Sequence, residues 1–273
     1  MKAGGKPNAV GKVAASINYA RDVGEVLILN RVRSSPVQSR IAGEAATVVR
    51  QARFHAHARI PDQPLHEILA AFPHQPVTEV TLPGPTERDG VGGATYYHAL
   101  ASVVRAVRPR SILEFGTFLG LGTLTMALNA PADCRIVTVD LPDDATVDGD
   151  HALNQADLEL IERRRHRTGE AFQKSPVADH ITQVRADSLT WQPPTGLGPF
   201  DLVLVDGGHS TPVVRADTVN ALRLLAPGGT VLWDDYFHLY PDVVEFLDGL
   251  ADGGRPLRAI RGTNLVISTD APR

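Results

Sequence analysis

A short glycine-rich segment in the middle of the chain places the strongest constraint on its fold. The run 112–115, which is apolar except for Glu114, has the pattern of a buried strand, and it leads directly into a turn that contains Gly116, Gly120 and Gly122. The stretch that follows, from about Leu121 to Asn129, predicts a helix. Glycine lets a backbone approach a ligand closely, and the free N–H groups at the start of a helix attract polar or anionic groups. The segment therefore predicts a strand, a turn and a helix that together cradle a ligand.

The spacing of these glycines bears on the kind of ligand. They occur as GxxxGxG, whereas the fingerprint of a dinucleotide-binding strand-turn-helix unit is GxGxxG. Gly120 and Gly122 supply the first two positions of that fingerprint, and Thr125 stands where the third glycine would be. Because such units also need glycine for packing alone, the pattern leaves a purely structural interpretation open.

Composition excludes several classes of protein. The 273 residues are 43% hydrophobic and 21% charged, with a formal net charge of −4, which suits one catalytic domain with an appendage. The acidic balance lacks the electrostatic footprint of a protein that binds phosphate backbones, so we expect no nucleic-acid partner. The single cysteine, Cys134, cannot form an internal disulfide and favours a cytoplasmic location. No apolar run approaches the roughly 18 residues of a membrane span, so we expect neither insertion nor export.

From Gly92 onwards, predicted strands alternate with predicted helices. The strands are predicted at 112–115, 135–139, 181–184, 201–205 and 230–233. A polar helical segment is predicted at about 151–172, and two strand-like runs, 257–260 and 265–268, close the chain. This order predicts an α/β fold with a Rossmann-like doubly wound sheet, mostly parallel, that ends in a C-terminal antiparallel hairpin.

Residues 1–85 lack this regularity. They contain a strand-like run at 25–29, an Ala-rich helical stretch from about Ile41 to Arg59, and a proline-rich link up to residue 85. We therefore divide the chain into an N-terminal helical arm or cap, residues 1–85, and a second domain, residues 86–273. The arm is a candidate for dimerisation or for a lid over a substrate.

Acidic residues follow four successive predicted strands after the glycine turn. They are Asp140, Asp187, Asp206 and the pair Asp234 and Asp235. Ligands of open α/β sheets bind beyond the carboxyl ends of the strands, where these residues stand. A single aspartate there is usually a helix cap or a turn residue, but four strand ends in succession favour a binding site. Asp140, which is 26 residues after Glu114, suits a carboxylate that accepts hydrogen bonds from ribose hydroxyls.

These motifs resemble those of the class I S-adenosylmethionine-dependent methyltransferases, over the region from Gly92 to the C-terminus. Residues 114–123 are similar to the first motif of that family, Asp140 to its ribose-binding acid, and Asp187 with Ser188 to its adenine-side pair.

The later motifs narrow the resemblance. Residues 200–210 and 226–236 are similar to the branch of metal-dependent O-methyltransferases that act on catechols, caffeoyl thioesters and the sugars of macrolide-type natural products.

The resemblance implies a set of site residues. Those expected to seat S-adenosylmethionine are Glu114, Gly116, Thr117, Gly120, Asp140, Asp187 and Ser188. Asp206, Asp234 and Asp235 are expected to hold a divalent cation, and His209, three residues after Asp206, to act beside Asp206 as the general base. An all-oxygen set suits Mg²⁺, which lowers the pKa of a bound hydroxyl and orients it. Asp235 alone could instead orient the substrate.

We therefore expect an enzyme that transfers the methyl group of S-adenosylmethionine to a hydroxyl of a small molecule. The resemblance favours a sugar or a polyketide-type natural product over a plant-type phenol, and a homodimer or higher homo-oligomer that forms through the arm. One alternative is an NAD-dependent oxidoreductase, which the glycine spacing disfavours. Another is a non-catalytic S-adenosylmethionine-binding protein in which the acids only cap helices. A nucleic-acid methyltransferase is disfavoured because the chain is acidic overall.

Overall fold

The computed structural model describes residues 54, 58–74, 76–84, 93–145, 147, 152–153 and 155–269. All of them belong to one compact unit, Gln51–Arg273. The strand predicted at 25–29 and most of the helix predicted at 41–59 lie outside the described residues, and so do the predictions that depend on them.

Among the described residues, eight strands form one sheet. In chain order they are β1 (Asp62–Gln63), β2 (Ser111–Phe115), β3 (Arg135–Asp140), β4 (Ile181–Arg185), β5 (Phe200–Val205), β6 (Leu225–Trp233), β7 (Arg258–Ile260) and β8 (Val266–Thr269). Across the sheet the order is β1-β7-β8-β6-β5-β2-β3-β4. Strand β8 runs antiparallel to β6 and β7, and the other neighbouring strands are parallel. The predicted mostly parallel, doubly wound sheet with a C-terminal antiparallel hairpin is confirmed.

Helices cover both faces of the sheet. They are α1 (Leu65–Leu69), α2 (Gly93–Val107), α3 (Leu121–Asn129), α4 (Gln155–Arg164), α5 (Glu170–Gln173), α6 (Thr211–Leu224) and α7 (Pro241–Asp252). Side chains alternate between the faces of a strand, so Ile112 joins the core beneath α2 while Leu113 joins the core on the side of α6 and α7. The strands of the centre are therefore mostly apolar, as buried parallel strands are.

The polar segment predicted at 151–172 is not one helix. Helix α4 ends at Arg164, and α5 begins after Gly169, whose φ of +81° interrupts a helical path. The N–H groups of Gly169 and Ala171 donate instead to the carbonyls of Phe118 and Leu119, each over 2.9 Å. Hydrogen bonds to the glycine-rich turn thus replace the helical ones, which sequence periodicity does not reveal.

Part of the predicted arm packs on the sheet. Strand β1 pairs with β7, and Ile68 and Leu69 of α1 join the core cluster that contains Leu100 of α2. A two-residue strand leaves no periodic pattern in the sequence, which is why β1 was not predicted. The functions expected of residues 1–85 stay predictions.

No described helix combines the length and the apolar character needed to cross a membrane.

Candidate active site

A pocket opens at the carboxyl ends of the parallel strands β2 to β6. Its walls come from the glycine-rich turn after β2, from the residues that follow each of the other strands, and from one face of α4. Every residue that the sequence proposed for a site lines this pocket: Glu114, Gly116, Thr117, Gly120, Asp140, Asp187, Ser188, Asp206, His209, Asp234 and Asp235. The roles assigned to these residues stay predictions, but the structure does bring the residues together.

Gly116 lies where the glycine-rich turn packs tightly against the residue that follows β5, Asp206. Its φ is +93°, and a Cβ on it would lie 1.7 Å from the carbonyl oxygen of Asp206. Its N–H donates to the carbonyl of Val139 over 2.8 Å. Only glycine fits here, since a side chain would displace the backbone of Asp206. The turn therefore sets the position of Asp206 as well as the shape of the pocket.

Glu114 is a buried acid at the base of the turn. Its Oε2 accepts hydrogen bonds from Thr123 and, over 2.6 Å, from Thr138, whose hydroxyl also lies 2.6 Å from that of Thr117. Burial raises the pKa of Glu114 to about 7, although these hydroxyl groups act in the opposite direction. Thr117 is thus held in a buried hydroxyl network under the turn.

Asp140 ends β3 and faces the same turn. Its Oδ2 accepts a hydrogen bond from the N–H of Phe118 over 2.8 Å, and its Oδ1 lies 3.4 Å from Nε of Arg164. Burial raises the pKa of Asp140, while the Arg164 guanidinium and the backbone N–H groups lower it. The carboxylate is therefore fixed in the place where a ribose-binding acid is expected, and Arg164 and the N–H groups offset part of the cost of burying its charge.

Asp187 and Ser188, which follow β4, lie beside another buried acid, Asp217. Asp187 accepts a hydrogen bond from the N–H of Leu189 over 3.0 Å, and Ser188 donates one to Asp217 of α6. Burial raises the pKa of Asp217 to about 7. Among the described residues, none donates a hydrogen bond to Oδ1 of Asp217.

Three carboxylates converge at the ends of β5 and β6. One oxygen from each of Asp206, Asp234 and Asp235 lies within 4.8 Å of the others. Burial, followed by the negative charge of the neighbouring acids, raises the pKa of Asp206 and of Asp234 well above the usual value. Within the described part of the chain, Oδ1 of Asp234 has no hydrogen-bond partner although it is buried. A hard divalent cation fits this donor set, because it would neutralise the repulsion and supply the missing partner.

The backbone explains how two consecutive acids can face one site. Asp235, the second residue after β6 ends at Trp233, has a φ of +62°, in the left-handed region. Successive side chains of a regular strand point to opposite faces. The turn at Asp235 ends that alternation and lets its carboxylate join that of Asp234.

His209 lies between two acids. Its Nδ1 bonds to Asp157 of α4, and its Nε2 lies 2.7 Å from Oδ2 of Asp235. The ring stacks on Tyr240, with the centroids 4.0 Å apart and the planes 14° from parallel. Burial lowers the pKa of His209, but the charges and hydrogen bonds of Asp235 and Asp157 outweigh it and raise that pKa to about 11. In the ligand-free site these acids favour the protonated imidazole, whereas the sequence predicted a general base.

Sequence reasoning missed two residues of this site, Asp157 and Arg164, and considered Tyr96 only as a candidate pocket-lining residue. Tyr96 donates a hydrogen bond to Asp206, Asp157 binds His209, and Arg164 pairs with Asp140. Asp157 and Arg164 lie seven positions apart, two turns on one face of α4, and Leu160 and Ile161 between them also line the pocket. The seven-residue spacing is the sequence signal that places Asp157 and Arg164 on one face, but it does not identify His209 and Asp140 as their partners.

Comparison with known proteins agrees with this geometry. Residues 113–236 match the protein family described as "Methyltransferase domain". The O-methyltransferase hkm8 of Aspergillus hancockii is 30% identical over 137 residues, which are 50% of this chain and 46% of that protein. The catechol O-methyltransferase of Mycobacterium tuberculosis is 26% identical over 136 residues, which are 50% of this chain and 52% of that protein.

The resemblance of this region to class I S-adenosylmethionine-dependent O-methyltransferases of the catechol and caffeoyl type is thereby confirmed. The chain spans about half the length of the curated relatives it matches. Among solved structures, the S-adenosylhomocysteine-bound methyltransferase PaMTH1 of Podospora anserina superimposes with a TM-score of 0.50 at 18% identity, over 84% of this chain and 96% of that one. At this identity the likeness supports the fold alone.

Proposed function

We propose that the protein transfers the methyl group of S-adenosylmethionine to a hydroxyl group of a small molecule. One observation carries the proposal: a single pocket contains both the glycine-rich turn with Asp140 and the three converging carboxylates with His209. The first group suits the cofactor, and the second suits a hydroxyl that must lose its proton. Both the family match over residues 113–236 and the names of the two relatives support this activity.

The chain's own groups suggest how the cofactor is seated. Gly116 and Gly120, with φ of +93° and +87°, let the turn pack closely against Asp206 and Phe172 and so set its shape where the cofactor is expected. Asp140 is fixed by the N–H of Phe118 and is left to accept hydrogen bonds from ribose hydroxyls. Asp187 and Ser188, at the end of β4, border the expected adenine side of the pocket.

The acidic cluster is proposed to hold a divalent cation, with Mg²⁺ as the candidate. Asp206, Asp234 and Asp235 would be its protein ligands, and the orphaned Oδ1 of Asp234 supports that assignment. When bound, such an ion supplies Lewis acidity that lowers the pKa of a hydroxyl and fixes its oxygen. Tyr96 holds Oδ2 of Asp206 in place over 3.0 Å.

His209 is proposed to take the proton of the acceptor hydroxyl once a cation held by Asp235 offsets the negative charge that raises the pKa of the imidazole. Its Nδ1 is engaged by Asp157, and its Nε2 is directed at the acidic cluster. Nε2 is therefore the atom that can exchange a proton with a substrate bound there. Stacking on Tyr240 keeps the imidazole in that orientation.

The acceptor is proposed to be a sugar or polyketide-type natural product. Leu153, Leu160 and Ile161 give the pocket an apolar part of its wall. Such a wall suits an acceptor whose hydroxyl projects from an apolar body. The cytoplasmic location and a homo-oligomer formed through residues 1–85 remain part of the same proposal and rest on the sequence.

Calorimetric titration with S-adenosylhomocysteine, with and without Mg²⁺, tests the proposal. Asp140→Ala is expected to lose cofactor binding, and Asp206→Ala to lose a separate Mg²⁺ signal while it still binds the cofactor. Asp179→Ala, which removes an exposed acid, is the matched control and is expected to behave as the wild type. Absence of S-adenosylhomocysteine binding in the wild type would overturn the cofactor assignment, and NAD would be the next ligand to titrate.

Methyl transfer itself is then measured with radiolabelled S-adenosylmethionine and a panel of hydroxylated acceptors. A wild-type protein that binds both the cofactor and Mg²⁺ but methylates none of them would favour a non-catalytic binding protein.

A further inference from the structure

Helix α4 contributes a carboxylate that reaches into the acidic site from outside the sheet. Oδ1 of Asp157 contacts Nδ1 of His209, and on the other side of the ring Nε2 lies 2.7 Å from Asp235. The three side chains form a continuous chain from the helix to the end of β6. The strand-end pattern that identified the other acids does not include Asp157, since this residue lies within a helix, 52 residues before His209.

The side chains of Asp157 and His209 are both buried, which protects their contact from water. Asp157 is 4% exposed and His209 is 9% exposed, so water cannot readily replace either partner. Tyr240 covers one face of the imidazole, with the ring centroids 4.0 Å apart. A buried carboxylate that loses its hydrogen-bond partner is costly, so the pair resists separation.

We propose that Asp157 is the positioning residue of His209: it holds the proton on Nδ1 and thereby presents Nε2 to the acidic site. The inference deepens the proposed function and rests on it as far as catalysis is concerned. In proteins where a carboxylate binds one nitrogen of a catalytic or metal-binding histidine, it fixes the tautomer and the ring orientation for the other nitrogen. Here the carboxylate comes from a helix that also forms a wall of the pocket.

The opposite end of α4 makes a matching contact. Arg164, two turns further along the same face, lies 3.4 Å from Oδ1 of Asp140 through its Nε. The helix is therefore attached to the proposed cofactor end of the pocket by Arg164 and to the proposed catalytic end by Asp157. Displacement of α4 would remove the support of His209 together with that of Asp140.

The test uses two variants of Asp157 and one matched control. Asp157→Asn keeps the shape of the side chain, and Asp157→Ala removes the contact. Glu159→Gln removes one negative charge from an exposed position of the same helix. Proton NMR of the ligand-free protein follows the Nδ1 proton of His209, assigned by its loss in His209→Gln, and steady-state kinetics give kcat and KM.

Asp157→Ala is expected to lose the low-field Nδ1 proton signal, and Asp157→Asn to shift it upfield because a neutral amide accepts a weaker hydrogen bond. Both variants are expected to lower kcat by about 10- to 100-fold with little change in the KM for S-adenosylmethionine. The double variant Asp157→Asn/His209→Gln is expected to be no slower than His209→Gln alone, since the two residues act as one unit. Glu159→Gln is expected to match the wild type in every measurement.

The two ways of failing are distinguishable. An Nδ1 signal and a kcat in Asp157→Asn equal to those of Glu159→Gln would overturn the positioning role. A wild type without methyl transfer, but with an Nδ1 signal that depends on Asp157, would overturn the proposed function and support the positioning contact. If Asp157→Ala does not fold, the shift and the kcat of Asp157→Asn decide the question.

Discussion

The hydroxyl of Tyr96 donates a hydrogen bond to Oδ2 of Asp206 over 3.0 Å, and so joins helix α2 to the end of β5. Tyr96 is 7% exposed, and its ring also meets that of Tyr97 edge-on, with the centroids 5.0 Å apart. Asp206 is thus held from two directions, by this hydroxyl at its side chain and by Gly116 against its backbone.

Tyr96→Phe is expected to weaken divalent-cation binding by about tenfold or more, because outer hydrogen bonds orient the ligands of a metal site. The ring keeps its packing, so the fold is expected to survive. Calorimetric titration with Mg²⁺ measures the change, and thermal unfolding of the same variant shows that the structure is intact. An unchanged Mg²⁺ affinity would show that Asp206 does not need this hydroxyl.

Gly116→Ala is expected to destabilise the fold severely, by about 3 kcal/mol or more, since the new Cβ would collide with the backbone of Asp206 and the residue has a positive φ. Gly249→Ala is the matched control. Gly249 lies within α7, and a Cβ added there meets nothing within 4 Å, so the same change is expected to stabilise the protein by about 0.5–1 kcal/mol. Urea unfolding of the two variants gives both values. Equal effects would contradict the close approach at Gly116.

Glu114→Gln is expected to change how stability depends on pH. The pKa of Glu114 is raised from 4.5 to about 7, so between these values the unfolded chain releases a proton that the folded chain retains. Stability contributed by the protonated acid is therefore fully present below pH 4.5 and is lost as the pH rises to about 7. Over that interval the loss is on the order of 3 kcal/mol, and Gln does not titrate.

Urea unfolding from pH 5 to pH 8 tests this prediction. The free energy of unfolding of the wild type, relative to that of Glu114→Gln, is expected to fall with rising pH and then to level off. Glu159→Gln, at an exposed position, controls for the loss of one charge. A constant difference between wild type and Glu114→Gln would show that burial does not shift this acid.

Thr218→Val is expected to destabilise the protein by about 1–3 kcal/mol. The hydroxyl of Thr218 accepts a hydrogen bond from Nε1 of Trp233 over 2.9 Å, and both residues are buried. Valine keeps the shape but leaves the indole N–H unsatisfied. Since Trp233 directly precedes Asp234, we also expect weaker Mg²⁺ binding, measured by the same titration. A variant with wild-type stability would indicate that the indole finds another acceptor.

The sheet could be predicted because its strands carry their own signal. Apart from Glu114 and Asp201, the strands 112–115 and 201–205 are apolar, as strands buried on both faces mostly are, and the structure places them within one residue of the prediction. Asp140 and Asp206 could be found because an open parallel sheet brings the ends of its strands to one edge.

The contacts across the site could not be predicted in this way. Asp157 reaches His209 from a helix 52 residues earlier in the chain, and Tyr96 reaches Asp206 from 110 residues earlier. Such pairings depend on how helices pack against the sheet, which neither periodicity nor spacing specifies. The raised pKa of His209 has the same origin, because one of its two acidic neighbours comes from α4.

The left-handed backbone at Asp235 has a consequence for engineering. A side chain other than glycine in that conformation costs about 1–2 kcal/mol, and here it also adds a third carboxyl group to a buried cluster. Asp235→Gly would relieve these costs in the ligand-free protein, but it would also leave Nε2 of His209 without its acidic partner. Selection for thermostability therefore acts on this carboxylate in two opposite directions, and a library screened for heat resistance needs a second screen for Mg²⁺ binding to retain it.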